Sequence, residues 1–238
     1  MKFRSALILG STSEIAENIC LELACRGCKR FHLISRNPDK NNSLISKLNN
    51  LQITEITTET LDLNNSFNLK EVYDQYDFYL IAVGFLGDIK KTNKDFIEAK
   101  KIFEINFLNL VPWIMNITNE NRVKKPGALW ILSSVAGDLG RPSNYFYGSS
   151  KSALTTFCEG LSNCLYGYPF KVRIIKAGFI RTRMTKGKAP EILCANPRSL
   201  SIKLLNSSNN SGVEYQPKWW FFVMYIIKKL PKFFISKL

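Results

Sequence analysis

Short apolar runs alternate with stretches of helical spacing along the whole chain. Residues 5–9 (SALIL) have the pattern of a buried strand. Residues 13–26 follow with Ile15, Ile19 and Leu23 on one side of a helix. Residues 31–35 read as a second strand and 39–48 as a helix with a polar face. A third strand lies within 53–63, and a fourth, very apolar, at 77–83. Residues 94–118 read as one long helix that Pro112 bends. A fifth strand at 129–133, a helix at 147–165 and a sixth strand at 172–176 come next. Residues 190–205 read as a further helix, 206–212 as a polar loop and 213–215 as a last strand. The alternation predicts one α/β domain over 1–217: a doubly wound, Rossmann-like parallel sheet in three layers. Ligands of such sheets lie beyond the carboxyl ends of the strands, so the chemistry is sought there. Residues 218–238 stand apart as an apolar and basic tail.

Composition narrows the partners. The formal charge of +14 on 238 residues points to phosphates or an anionic membrane surface. Specific nucleic-acid binding is not expected, because no reading motif accompanies the charge. Of six cysteines, Cys25 and Cys28 form a lone C-x-x-C, and His32 is the one histidine, so no metal site is expected. Reduced cysteines fit a cytoplasmic protein. The apolar run at 6–9 is shorter than a signal-peptide core and reads as a strand. No stretch reaches the roughly 18 apolar residues of a spanning helix.

The strand ends carry the candidate site. Gly10, Ser11, Thr12, Ser13, Glu14 and Ile15 form a tight turn into a helix, a geometry that cradles a pyrophosphate or serves as an ordinary capped turn. Ser35 and Arg36 end the second strand. An arginine there suits a 2′-phosphate, hence NADPH rather than NADH; otherwise it is a surface residue. Asp62 and Leu63 follow the third strand, where the carboxylate meets an adenine amino group or caps a helix. Ala82, Val83 and Gly84 are small enough to admit a nucleotide. Tyr147 and Lys151 are four apart on one helical face, and an ammonium nearby lowers a phenol's pKa toward use as a general acid or base. Ser134 ends the fifth strand and can polarise a carbonyl oxygen. Tyr145, six residues from Lys151, points elsewhere.

The order Gly10, Asp62, Ala82-Val83-Gly84, Asn106, Ser134, Tyr147 and Lys151 resembles the short-chain dehydrogenase/reductase family over residues 5–185. The resemblance implies a proton-relaying Tyr147, a Lys151 that tunes it and binds the nicotinamide ribose, a carbonyl-orienting Ser134, and an Asn106 that holds a water beside the lysine. It also implies that Gly178, Ile180 and Thr182 meet the nicotinamide. Glu14 and Ala16 stand where the family's turn has glycines, and Ala177 stands for its proline. The stretches 10–15, 82–88, 133–137 and 181–184, with the basic tail, are similar to the branch of decaprenylphosphoryl-2-keto-ribose reductases. That likeness implies reduction of a 2-keto sugar on a polyprenyl phosphate. A 3-oxoacyl-thioester reductase shares the same catalytic set, and a nicotinamide sensor without turnover is the non-enzyme alternative.

The tail has five lysines and no acid, with nine apolar residues at 219–227. As a helix this run is about 14 Å long, too short for a bilayer core of about 30 Å. It is apolar on all sides, so it packs into an interface or over the substrate loop, or else rests on an anionic membrane at its cytoplasmic face. Residues 171–188 carry seven basic residues and no acid, predicting a basic mouth for a phosphate-linked substrate. The helices around 106–113 and after Tyr147 are apolar enough to pair across a homodimer or homotetramer.

Overall fold

Strand β1 (Ser5–Leu9) is buried at every residue, as a central parallel strand covered on both faces must be. It leads through Gly10 into α1 (Glu14–Cys25), which buries Ala16, Ile19, Cys20, Leu23 and Ala24. The unit repeats as β2 (Arg30–Ser35) and α2 (Pro38–Asn50), where the Asn37 side chain caps the helix by accepting from Lys40 N–H. β3 (Glu55–Thr60) is a polar edge strand. The chain then crosses to the other side of β1 as β4 (Phe78–Ile81). Helices α3 (Ile89–Thr92), α4 (Phe96–Asn106), α5 (Val111–Ile117) and α6 (Glu120–Val123) lead to β5 (Gly127–Ser134). Then come α7 (Tyr145–Cys164), β6 (Phe170–Ala177), α8 (Pro197–Asn206), β7 (Gly212–Gln216), α9 (Trp220–Ile227) and α10 (Lys232–Ile235). The structure, a computed structural model, describes residues 1–53, 55–64, 73, 75–187 and 190–237.

The seven strands run in the order β3-β2-β1-β4-β5-β6-β7, and every pairing is parallel. The order reverses between β1 and β4, which places a ligand crevice beyond Leu9 and Ile81. One apolar layer joins α1, α2 and α8 to the sheet through Ile19, Leu44, Leu204 and Trp130. The other joins α5 and α7 to the opposite face through Trp113, Ile117, Leu154 and Cys158. The predicted three-layer α/β fold is therefore present.

Two helical expectations need correction. Residues 94–118 are not one helix. α4 stops at Asn106, and Phe107 takes φ −143° and ψ −68°, outside helical space. In an unbroken helix the Pro112 ring would strike the carbonyl of Leu108. The break moves Pro112 into the first turn of α5, where its missing N–H leaves no bond unmade. Residues 190–205 are likewise divided: Glu191–Leu193 is a 3-10 turn, and the α-helix begins at Pro197 behind an Asn196 cap. A proline at the first helical position again sets the start.

Candidate active site

The carboxyl ends of the central strands open on one cavity of about 780 Å³. Gly10 makes the turn after β1 with φ +88°, and a β-carbon there would lie 2.8 Å from the Ala82 carbonyl oxygen. Both the left-handed backbone and the close approach require glycine. Thr12, Ser13, Glu14 and Ile15 line the cavity at the start of α1. Ser13 holds the N-cap position but makes no side-chain cap bond, so the first helical N–H groups are left for an anion. Ser11 is buried and outside the cavity wall; its hydroxyl lies 2.7 Å from Asn41 Oδ1, and Asn41 Nδ2 donates to Ser35 Oγ at 3.0 Å. Ser11 thus braces the turn instead of facing the ligand, while Ser35 both braces and lines it.

The Glu14 carboxylate is held by the loop after β6. It accepts the Arg183 backbone N–H at 3.0 Å, and Arg183 Nη2 donates to Thr12 O at 3.0 Å. The acid that stands in place of a glycine thereby fastens the loop after β6 onto the turn after β1. Arg36 and Lys40 line the far end of the cavity together. Asp62 lines it too, but its Oδ1 accepts the Asn64 backbone and side-chain N–H groups, each at 3.0 Å, as a turn former. Leu63, Ala82, Val83 and Gly84 complete this wall.

At the other end stand Ser134, Tyr147 and Lys151. β5 ends at Ser134, whose Oγ accepts from Ala136 N–H at 3.1 Å as the chain turns into a short 3-10 helix. α7 begins two residues before Tyr147, so the phenol and Lys151 point from one helical face into the cavity. Lys151 is buried, and its ammonium donates to Val83 O and Leu132 O, each at 3.0 Å. Its Nζ lies 6.0 Å from the centre of the Tyr147 ring. Burial pulls the Lys151 pKa down to about 8. Burial also pushes the Tyr147 phenol up to about 12, against a hydrogen bond with Ser134 that lowers it. The expected lowering of the phenol by Lys151 is not seen in this geometry: desolvation of the phenolate dominates, and the opposing effect comes from Ser134.

Asn106 serves as a brace in this structure. It is fully buried and outside the cavity wall. Its Oδ1 accepts Phe85 N–H and its Nδ2 donates to Phe85 O, both at 2.8 Å. It pins the chain after Gly84, through backbone contacts rather than through Lys151. Tyr145 points outward as expected and bonds Asn93. Gly178, Ile180 and Thr182 line the cavity, and Thr182 N–H donates to Thr185 Oγ1 at 3.1 Å. At Gly178 a β-carbon would fall 1.9 Å from Trp220 Nε1. α9 therefore lies directly on the wall of the site, with Trp220 and Met224 packed on Val135 and Phe179.

Part of the basic run at 171–188 is committed to partners away from a ligand. Arg173 is buried against Glu214 at 2.7 Å, Lys176 pairs with Asp138 at 2.6 Å, and Lys171 Nζ donates to Tyr168 O near the start of β6, away from the cavity. Arg183 is spent on Glu14, and Lys188 lies outside the described residues. Acids distant in sequence pair with three of the run's seven basic residues, Arg173, Lys176 and Arg183, which a local charge pattern cannot show. Conversely, Lys40 and Arg141 line the cavity and carried no sequence signal. Among the described residues, no group of three or more His, Cys, Asp or Glu is placed to hold a metal.

Residues 4–192 match the family model described as short chain dehydrogenase. An uncharacterized oxidoreductase of Mycobacterium tuberculosis is 30% identical over 155 residues, 65% of this chain and 62% of that protein. The chain thus spans less than two thirds of this relative's length. A very-long-chain 3-oxoacyl-CoA reductase of Phaeosphaeria nodorum is 25% identical over 87% of this chain and 64% of its own. Among solved structures, one of a 7β-hydroxysteroid dehydrogenase superposes with a TM-score of 0.80 at 15% identity, covering 96% of this chain and 93% of that one. A candidate short-chain dehydrogenase of Shigella flexneri complexed with NADP gives 0.72 at 21% identity, covering 89% and 95%.

Proposed function

Because this chain belongs to the short-chain dehydrogenase/reductase family, we propose that it reduces a ketone to an alcohol with NADPH. The observation that carries the reading is Tyr147 hydrogen-bonded to Ser134, with Lys151 buried beside them, at the strand ends of one cavity. The cavity fits the dinucleotide: the uncapped start of α1 suits the pyrophosphate, and Arg36 with Lys40 suits a 2′-phosphate. Bound NADPH supplies the hydride. Ser134 and Tyr147 hydroxyls orient the carbonyl oxygen and receive the charge that grows on it. With a pKa near 12 the phenol keeps its proton through neutral pH and gives it to that oxygen. Lys151, cationic below about pH 8, faces the phenolate left behind.

The substrate reading is a 2-keto sugar on a polyprenyl phosphate. Its support is α9, which exposes Phe221, Phe222, Tyr225 and Ile226 while Trp220 and Met224 hold it to the site. Five lysines and no acid side chain accompany these rings in residues 218–238. An apolar face rimmed by lysines fits an anionic bilayer, each lysine contributing roughly 1 kcal/mol near the surface. A second copy fits worse, because a two-fold contact would bring the lysine sets together. Among the described residues no helix is long and apolar enough to cross a membrane. The second reading, a 3-oxoacyl-thioester reductase, is favoured by the likeness to 3-oxoacyl-CoA reductases. The test offers purified protein a polyprenyl-phosphoryl 2-keto-pentose and, separately, a 3-oxoacyl thioester, and follows NADPH loss. Turnover of the sugar that Tyr147→Phe abolishes supports the first; turnover of the thioester alone replaces it with the second.

A further inference from the structure

Arg141 lies on the segment between β5 and α7, in the same cavity wall as Tyr147. Its Nε is buried, and no hydrogen-bond partner satisfies it. Nor does any salt bridge among the described residues include it. Three other cations, by contrast, have acid partners: Lys176 with Asp138, Arg183 with Glu14 and Arg173 with Glu214. Two acids of adjoining segments are engaged elsewhere. Asp138 is held by Lys176 and Tyr215, and Asp88 accepts Lys90 N–H at the start of α3. Burial of the guanidinium carries a cost, seen as a pKa drawn below the ordinary arginine value. The neighbouring Asn144 also has a buried, unsatisfied Oδ1. Asn144 and Tyr147 line a second cavity of about 310 Å³ as well as the first. Arg141 thus lines the first cavity on the segment whose Asn144 also borders the second, at the end remote from Arg36.

A half-buried guanidinium with no acid calls for a planar or tetrahedral oxyanion, which it binds through paired N–H groups. We propose that Arg141 is a specificity residue that binds a phosphate group of the ketone substrate. The inference deepens the reductase reading of the same cavity and rests on it for turnover assays only. It adds to the basic run at 171–188 a phosphate-binding residue outside that run.

The experiment compares wild type with Arg141→Gln and Arg141→Lys, each first shown to bind NADPH. Three ketones are used: an uncharged 2-keto pentose, its phosphate monoester, and a polyprenyl phosphodiester of it. Arg141→Gln is expected to lower kcat/KM on the phosphorylated ketones on the order of 100-fold, mainly through KM. It should change the uncharged ketone by less than about threefold. Arg141→Lys should recover part of the loss, as a point charge lacking the fork. The monoester and diester arms tell a soluble phosphate from a lipid-linked one. In parallel, calorimetry titrates inorganic phosphate into NADPH-saturated protein, with binding expected for wild type and lost in Arg141→Gln. Equal losses on charged and uncharged ketones, or phosphate binding unchanged in Arg141→Gln, would overturn the inference. If no ketone turns over but phosphate binding depends on Arg141, the reductase reading fails and the anion site stands.

Discussion

Replacing Lys151 by methionine tests the electrostatics of the site without a substrate. The ammonium is almost wholly buried, at 2% exposure, and its pKa falls from an ordinary 10.5 to about 8. At about 1.4 kcal/mol per pH unit, that drop corresponds to about 3 kcal/mol. The sign follows from proton counts. Below pH 8 both folded and unfolded chains hold the proton, and the folded chain bears the full burial cost. Between about 8 and 10.5 the folded lysine is neutral while the unfolded one still carries its proton. Raising the pH across that window therefore favours folding. Lys151→Met has no such group, and the carbonyls of Val83 and Leu132 that it leaves unpaired add a cost that does not vary with pH. Urea unfolding of both proteins from pH 7 to 10.5 reads the difference. Wild type should gain about 3 kcal/mol on the variant over that range. A difference that stays flat would refute the claim that a charged, desolvated lysine is stored in the site.

Three other outcomes are expected. Arg36→Ala with Lys40→Ala should weaken NADPH binding at least tenfold and leave NADH nearly unchanged; equal losses would show that these residues do not read the 2′-phosphate. Gly178→Ala must displace the indole of Trp220 and should cost about 1–3 kcal/mol, with a shift in tryptophan emission; an unshifted spectrum at full stability counts against the contact. Phe221→Ser with Phe222→Ser, or Lys228→Glu with Lys229→Glu, should release the protein from anionic vesicles in flotation while leaving Trp220 in place. Retention by both doubles would remove the membrane from the substrate reading.

Most of the fold was legible because central parallel strands are buried on both faces and cannot hide in sequence. β1 and β4 are short apolar runs, and each ends at the small residues the crevice demands. The convergence of Ser134, Tyr147 and Lys151 on one cavity was legible for a related reason: they sit on a strand end and one helical turn, where local spacing fixes direction. What failed was whatever depended on partners far along the chain. Glu14 meets Arg183, and Arg173 and Lys176 on β6 meet Glu214 and Asp138. Arg141 was silent for the opposite reason: its meaning lies in having no such partner. The split at Phe107 was signalled by Pro112, but a bend and a break look alike in periodicity.

Trp220 has a consequence for how this chain can change over time. Its indole takes the space that a side chain at position 178 would occupy, and its neighbours Val135 and Phe179 adjoin Ser134 and Gly178. The tail and the reaction centre are thus not free to drift independently. A smaller residue at 220 would open room for a larger one at 178, and descendants of this sequence should exchange those two positions together. Tail segments transplanted between relatives would carry their catalytic loop's shape with them, or lose it.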